Sequence, residues 1–128
     1  MENALKNEIT RQILDASITV HRIMGPGLLE SVYELCLKRE LELRGLNVQN
    51  QVVIPLLYKG ELLSKEYKID LLVEDTVIVE LKSVDIMLPV FEAQIISYLK
   101  LADKKVGLLI NFNVPLLKDG FKRFVNNF

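Results

Sequence analysis

The sequence predicts a mixed α/β fold, a mixed sheet flanked by helices, in the element order α-α-β-β-β-β-α-β-α. Three observations predict it. Apolar residues recur every three or four positions through the first third of the chain, and the period then changes from Val48 onward. A short, nearly all-apolar run from Lys105 to Phe112 follows a helical pattern, as expected of a strand buried on both faces. Length and composition supply the third: 128 residues, 50% apolar and 26% charged, predict one domain over residues 1–128 with a core of its own.

Leu5, Ile9, Ile13, Ala16 and Val20 form one stripe, widened by Leu14 and Ile18, so a helix is predicted over about residues 4–23. Gly25-Pro26-Gly27 ends it. A second helix is predicted from about Leu28 to Arg44, with Val32, Leu35, Leu37 and Leu41 inward and Gly45 as its left-handed cap. Val48 to Tyr58 reads as a strand, Lys59-Gly60-Glu61 as a turn, and Leu62-Leu63 as the resumption of extended chain. Glu66–Val73 and Thr76–Val84 are two further extended runs about an acidic turn. Pro89 suits a first helical turn and opens a helix over about Val90–Leu101. A last, weaker helix is predicted from about Leu117.

Composition narrows the function. Sixteen Lys and Arg against seventeen Asp and Glu give a net charge of −1, which excludes a blanket basic surface but not a local patch, for which Lys104, Lys105, Lys118, Lys122 and Arg123 are the candidates. With one histidine, His21, and one cysteine, Cys36, neither a structural zinc site nor a His-based catalytic pair is expected. The first residues lack the basic-then-apolar order of a signal peptide, and no apolar run approaches the ~20 residues of a membrane span. A cytoplasmic location without membrane association is expected.

The segment from Tyr67 to Lys82 carries the chemistry. Alternation along strands puts Ile69, Leu71, Val73, Val77, Val79 and Leu81 on one face, all apolar. The other face carries Lys68, Asp70 and Leu72 on one strand and Ile78, Glu80 and Lys82 on the next. For both apolar faces to meet one core, Asp70 must stand opposite Glu80, and the loop must be Glu74 to Thr76. Two facing carboxylates repel unless a proton or cation lies between them. Lys82 supplies part of that charge and a divalent ion supplies more; hard oxygen ligands suit Mg²⁺, or Mn²⁺. Such an ion with an activated water beside a lysine is equipment for phosphodiester hydrolysis. Taken alone, Asp…Glu-x-Lys on a hairpin is also ordinary sheet surface.

Gly27-Leu28-Leu29-Glu30-Ser31-Val32-Tyr33 spells G-x-x-E-x-x-Y, and with Asp70…Glu80-Leu81-Lys82, Phe91–Lys100 and Gly107–Phe112 it makes four ordered blocks from about Met24 to Val125. The chain thereby resembles the GxxExxY group of the PD-(D/E)XK nuclease superfamily. The resemblance implies a restriction-endonuclease-like fold with a four-stranded mixed central sheet, and a metal site where the sheet opens. It implies Asp70 and Glu80 as ligands, Glu30 near the metal, the Leu81 carbonyl as a further ligand, Lys82 orienting or activating the water, Gln94 completing the site, and Tyr33 and Tyr98 as auxiliaries. Many relatives carry a small residue where Ile69 stands and a histidine where Phe91 stands; the second difference removes a phosphate or proton contact.

The expected function is a Mg²⁺- or Mn²⁺-dependent nuclease acting on DNA or RNA. The alternative is a nuclease-fold module of little or no activity that binds nucleic acid or a protein partner, or forms a homodimer. The near-neutral charge favours the alternative, because a small nuclease needs positive surface to hold a polyanion.

Overall fold

The structure is a computed structural model, and it describes residues 2–127. Helix α1 (Glu2–Met24) buries Ile9, Ile13, Ala16, Ser17 and Val20. Leu5, predicted inward, is 59% exposed, and Lys6 takes the buried place. Its long apolar stem lies against the protein while its ammonium reaches Glu2 at 3.3 Å. Gly25, at φ +74°, donates its N–H to the His21 carbonyl and closes the helix.

Helix α2 (Glu30–Leu43) starts two residues later than predicted, because Leu28 and Leu29 belong to the loop set by Gly27 at φ +90°. Tyr33, Leu37 and Leu41, each four apart, are fully buried, whereas Leu35 points away and is 64% exposed. Gly45 caps α2 at φ +85°, as expected.

Five strands form one sheet in the order β1 (Val48–Tyr58), β2 (Glu61–Val73), β3 (Val77–Lys82), β4 (Val106–Asn111), β5 (Phe121–Val125). Only β3 and β4 are parallel, and α3 (Pro89–Ala102) makes the crossover that a parallel pair requires. Two departures from the predicted order stand out. The two runs expected after Lys59-Gly60 are one thirteen-residue strand, β2. Its outer part pairs with β1 alone, since β3 pairs only with Leu71, Leu72 and Val73, so polar Ser64 and Lys65 face solvent without interrupting it.

The predicted final helix is instead a 3₁₀ turn, Leu117–Gly120, leading into β5. Without β5 the apolar strand β4 would leave an open ladder at the sheet edge. The sheet therefore has five strands rather than four. At Gly120 an added Cβ would sit 2.2 Å from the Asn111 carbonyl oxygen, so only glycine lets the returning chain come this close to the end of β4.

The core lies on both faces of the sheet. On one side Leu71, Val73, Val77, Val79 and Leu81, with Val106, Leu108 and Ile110, pack against α1 and α2. On the other, Leu72, Ile78 and Leu109 pack against Ile95, Tyr98 and Leu99 of α3. Gly107 admits Ile95 of α3, whose side chain would lie 3.0 Å from an added Cβ. Ile69, predicted to share the face of Leu71, lies on the α3 side. The change of face also appears on β1, where Val48 packs on the α1/α2 side and Val52 and Ile54 on the α3 side. It occurs at Gln51, whose φ is +52°, between the pairs Asn50↔Leu71 and Val52↔Ile69. Among the described residues no helix is long and apolar enough to cross a membrane.

Candidate functional site

The three-residue loop Glu74–Thr76 joins β2 to β3 in the register expected, with Leu71 opposite Val79 and Val73 opposite Val77. That register brings Asp70 and Glu80 together where the pairing of β2 and β3 stops. Each carboxylate there takes an amide from the other strand: the Asp70 N–H donates to Glu80 Oε2 at 2.9 Å, and the Leu81 N–H donates to Asp70 Oδ2 at 2.8 Å. Side chains thus replace backbone carbonyls as acceptors, and the two acidic groups stand in the opening between the strands.

Glu80 is only 7% exposed. Burial, followed by the charge of Asp70 and, less strongly, a side-chain hydrogen bond to it, pushes Glu80 up to about 9, against the opposing hydrogen bond from the Asp70 N–H and the smaller effect of Lys82. At neutral pH Glu80 is therefore held in its protonated, neutral form in a poorly solvated gap. A divalent cation has the charge to replace that proton, and the oxygen donors fit Mg²⁺ or Mn²⁺. Among the described residues there is no group of three or more His, Cys, Asp or Glu arranged to hold a metal. The protein offers two carboxylates, a set that suits an ion whose remaining positions go to water and substrate oxygens.

Lys82 follows on the same strand, and its Nζ lies 4.5 Å from the centre of the Phe91 ring. Phe91 thus gives the lysine an aromatic seat. Tyr98, one helical turn past Gln94 on α3, has its phenol held above the usual tyrosine range by burial and then by the charges of Glu80 and Asp70, with a hydrogen bond from Gln94 acting the other way. Its ring packs against Tyr67 at 5.7 Å. Tyr98 thus lies near the acidic pair, and Gln94 is tied to Tyr98.

Glu30 is not part of that pair. Its Oε2 accepts the Ser83 N–H at 3.3 Å, just beyond Lys82, and it lines a depression of about 660 Å³ with Gly27, Ser83 and Asn113. Tyr33 is fully buried and stacks on Phe112 with centroids 4.3 Å apart. Its hydroxyl donates to the Gly25 carbonyl and accepts from the Leu28 N–H, so it clamps the glycine loop. Ser83 Oγ completes the arrangement by donating to the Leu28 carbonyl at 2.6 Å. The G-x-x-E-x-x-Y residues therefore fasten the start of α2 to the end of β3. Buried Asn111 pins the same exit, exchanging side-chain hydrogen bonds with both backbone groups of Val84.

A family model described as the PD-(D/E)XK nuclease superfamily matches residues 7–124. The chain belongs to the PD-(D/E)XK nuclease superfamily. No curated protein and no solved structure matches it. Asp70 and the triplet Glu80-Leu81-Lys82 spell the D and the (D/E)XK of the superfamily's name, with Ile69 rather than proline before the aspartate. Membership supports a nuclease-like function.

Two residues near the pair, Gln51 and Glu34, are not among the site residues expected from the sequence. Gln51 donates from Nε2 to Glu34 Oε1 at 2.6 Å and to Asp70 Oδ1 at 3.3 Å. Glu34 lies one helical turn after Glu30, and that spacing is the only hint. The basic residues singled out from composition are largely engaged: Lys122 with Glu92, Lys104 with Asp75, and Arg123 with Asn7. A larger depression of about 760 Å³, lined by Glu42, Asn47, Glu74 and Asp75 among others, contains none of the acidic-pair residues.

Proposed function

We propose that the protein is a divalent-metal-dependent nuclease of the GxxExxY group, hydrolysing phosphodiester bonds of DNA or RNA with water as the nucleophile. The observation that carries this reading is the reciprocal pairing of Asp70 and Glu80 in the strand opening, with the Glu80 carboxyl group buried there. The group assignment is supported by Glu30 and Tyr33, which fasten the glycine loop and the end of β3 to α2.

Asp70 and Glu80 would hold Mg²⁺ or Mn²⁺, with the Leu81 carbonyl as a further donor. The ion, when bound, supplies Lewis-acid charge toward water and a phosphate oxygen. Glu80 would bind the ion as the carboxylate, its proton passing to solvent, so that Asp70 and Glu80 together would offset the ion's charge. Lys82, beside the Phe91 ring, would orient the attacking water or meet the negative charge that develops on the phosphate. Gln94 and Tyr98 border the approach from α3, and Glu30 holds the Ser83 backbone so that the β3 exit keeps its position.

Incubation of purified protein with single- and double-stranded DNA and RNA in Mn²⁺ tests the assignment. Cleavage that disappears in Asp70→Ala and in Glu80→Ala, each folded as judged by circular dichroism, is the expected result. Equal cleavage by either variant at equal purity contradicts it. The near-neutral charge favours a second reading, a weakly active module that binds nucleic acid or a protein partner, including a second copy of the chain. On that reading the wild type binds oligonucleotide or partner but cleaves nothing.

A further inference from the structure

Gln51 sits in the middle of β1, yet its backbone is left-handed, at φ +52°. A long side chain in that region costs on the order of 1 kcal/mol, and glycine would adopt it freely. The pairs on either side, Asn50↔Leu71 and Val52↔Ile69, keep the same register, so the distortion inserts no residue. What it accomplishes is to place one amide group between two carboxylates.

Gln51 Nε2 donates to Glu34 Oε1 at 2.6 Å and to Asp70 Oδ1 at 3.3 Å. Asp70 Oδ2 meanwhile accepts the Leu81 N–H at 2.8 Å. The Asp70 carboxylate is therefore held at both oxygens, by β1 on one side and β3 on the other. Glu34 anchors the amide to α2, and a second contact from Asn50 Nδ2 to Glu34 Oε2 at 3.3 Å steadies that anchor. Glu30 and Glu34, one turn apart on α2, reach β3 and β1 respectively, so the helix spans the site.

We propose that Gln51 is a positioning residue for Asp70, anchored by Glu34, and that the left-handed backbone at Gln51 is retained because it aims this amide. The inference rests on the reading of Asp70 as a ligand to a divalent ion. Groups that orient a metal ligand through a hydrogen bond typically change metal affinity about 10–100-fold when removed.

The test uses the full chain with Gln51→Gly, which relieves the backbone and deletes the amide, and Gln51→Asn, which tolerates the left-handed region but is one methylene short. Two readouts are taken. Amide hydrogen exchange at Leu81, by NMR on metal-free protein, reports how firmly Asp70 is held; Mn²⁺ titration reports the consequence for binding. Both variants are expected to exchange the Leu81 amide about tenfold faster or more, with Mn²⁺ affinity reduced about tenfold or more and a melting temperature near that of the wild type. Leu81 exchange and Mn²⁺ affinity matching the wild type in both variants overturns the proposal and leaves Gln51 as a bend in the strand. If Gln51→Gly fails to fold, Gln51→Asn decides alone on the same criteria. Wild-type protein that takes up no Mn²⁺ contradicts the metal reading, while Leu81 exchange still decides whether Gln51 holds Asp70.

Discussion

Glu80 keeps its proton in the folded protein well past the pH at which the unfolded chain loses it. Its value rises from 4.5 to about 9, so between those limits the folded state binds more protons than the unfolded one. Stability must then fall as pH rises across that window. Metal-free Glu80→Gln is expected to remove much of this slope, so that its melting temperature gains on the wild type from pH 5 to pH 9. A constant difference between the two across that range contradicts the assignment. The same proton links metal to pH: one proton leaves as one cation enters, so Mn²⁺ affinity is expected to rise up to about tenfold per pH unit below 9. Tyr33 presents a different residue-scale case. Tyr33→Phe keeps the stack on Phe112 but leaves the Gly25 carbonyl and the Leu28 N–H without their partner, at a cost of about 1–3 kcal/mol. Thermal unfolding measures that loss, and Mn²⁺ affinity is expected to stay within about twofold because the hydroxyl serves the loop. Asp70, Glu80 and Lys82 are legible in the sequence because strand alternation and a three-residue loop suffice to bring the first two together. Gln51 is not, since a left-handed φ at a glutamine has no signature in residue type. Glu34 is legible only as a neighbour of Glu30 on a helix face.

At the scale of elements, the helices are the most readable parts. Ile9, Ile13, Ala16 and Val20, and again Leu37 and Leu41, mark their buried stripes by spacing alone. The end of the chain misleads, because Leu117, Phe121, Phe124 and Val125 fit a weak helical pattern, while the extended pairing of Phe121 to Val125 depends on β4. Strand pairing of this kind outweighs local propensity. The clue available in the sequence is Gly120, which is poorly suited to a helix interior. Gly120→Ala forces a methyl group onto the Asn111 carbonyl, so β5 must withdraw from the end of β4. A loss of about 3 kcal/mol or more is expected in chemical denaturation, with a lower melting temperature. An alanine variant as stable as the wild type contradicts the close approach. The continuity of β2 is similarly hidden, since an exposed two-stranded ribbon with polar residues on both strands looks like two short strands with an interruption.

For the whole molecule, both helical layers serve one opening in the sheet. α1 and α2 bury one face and α3 the other, and the acidic pair stands where β2 and β3 cease to pair. α2 holds this region from two directions, through Glu30 to Ser83 and through Glu34 to Gln51. The superfamily match over residues 7–124 covers these elements together. The sequence carries the mixed α/β class and the hairpin bearing the acidic residues, whereas the fifth strand and the outer supports of Asp70 emerge only from three-dimensional packing. The most direct test of the account is calorimetric titration of the metal-free protein with Mn²⁺ at pH 7, in two buffers of different ionisation enthalpy. One ion bound with release of close to one proton, and loss of both signals in Asp70→Ala, is the expected result. No heat of binding in the wild type, or binding that survives Asp70→Ala unchanged, contradicts it.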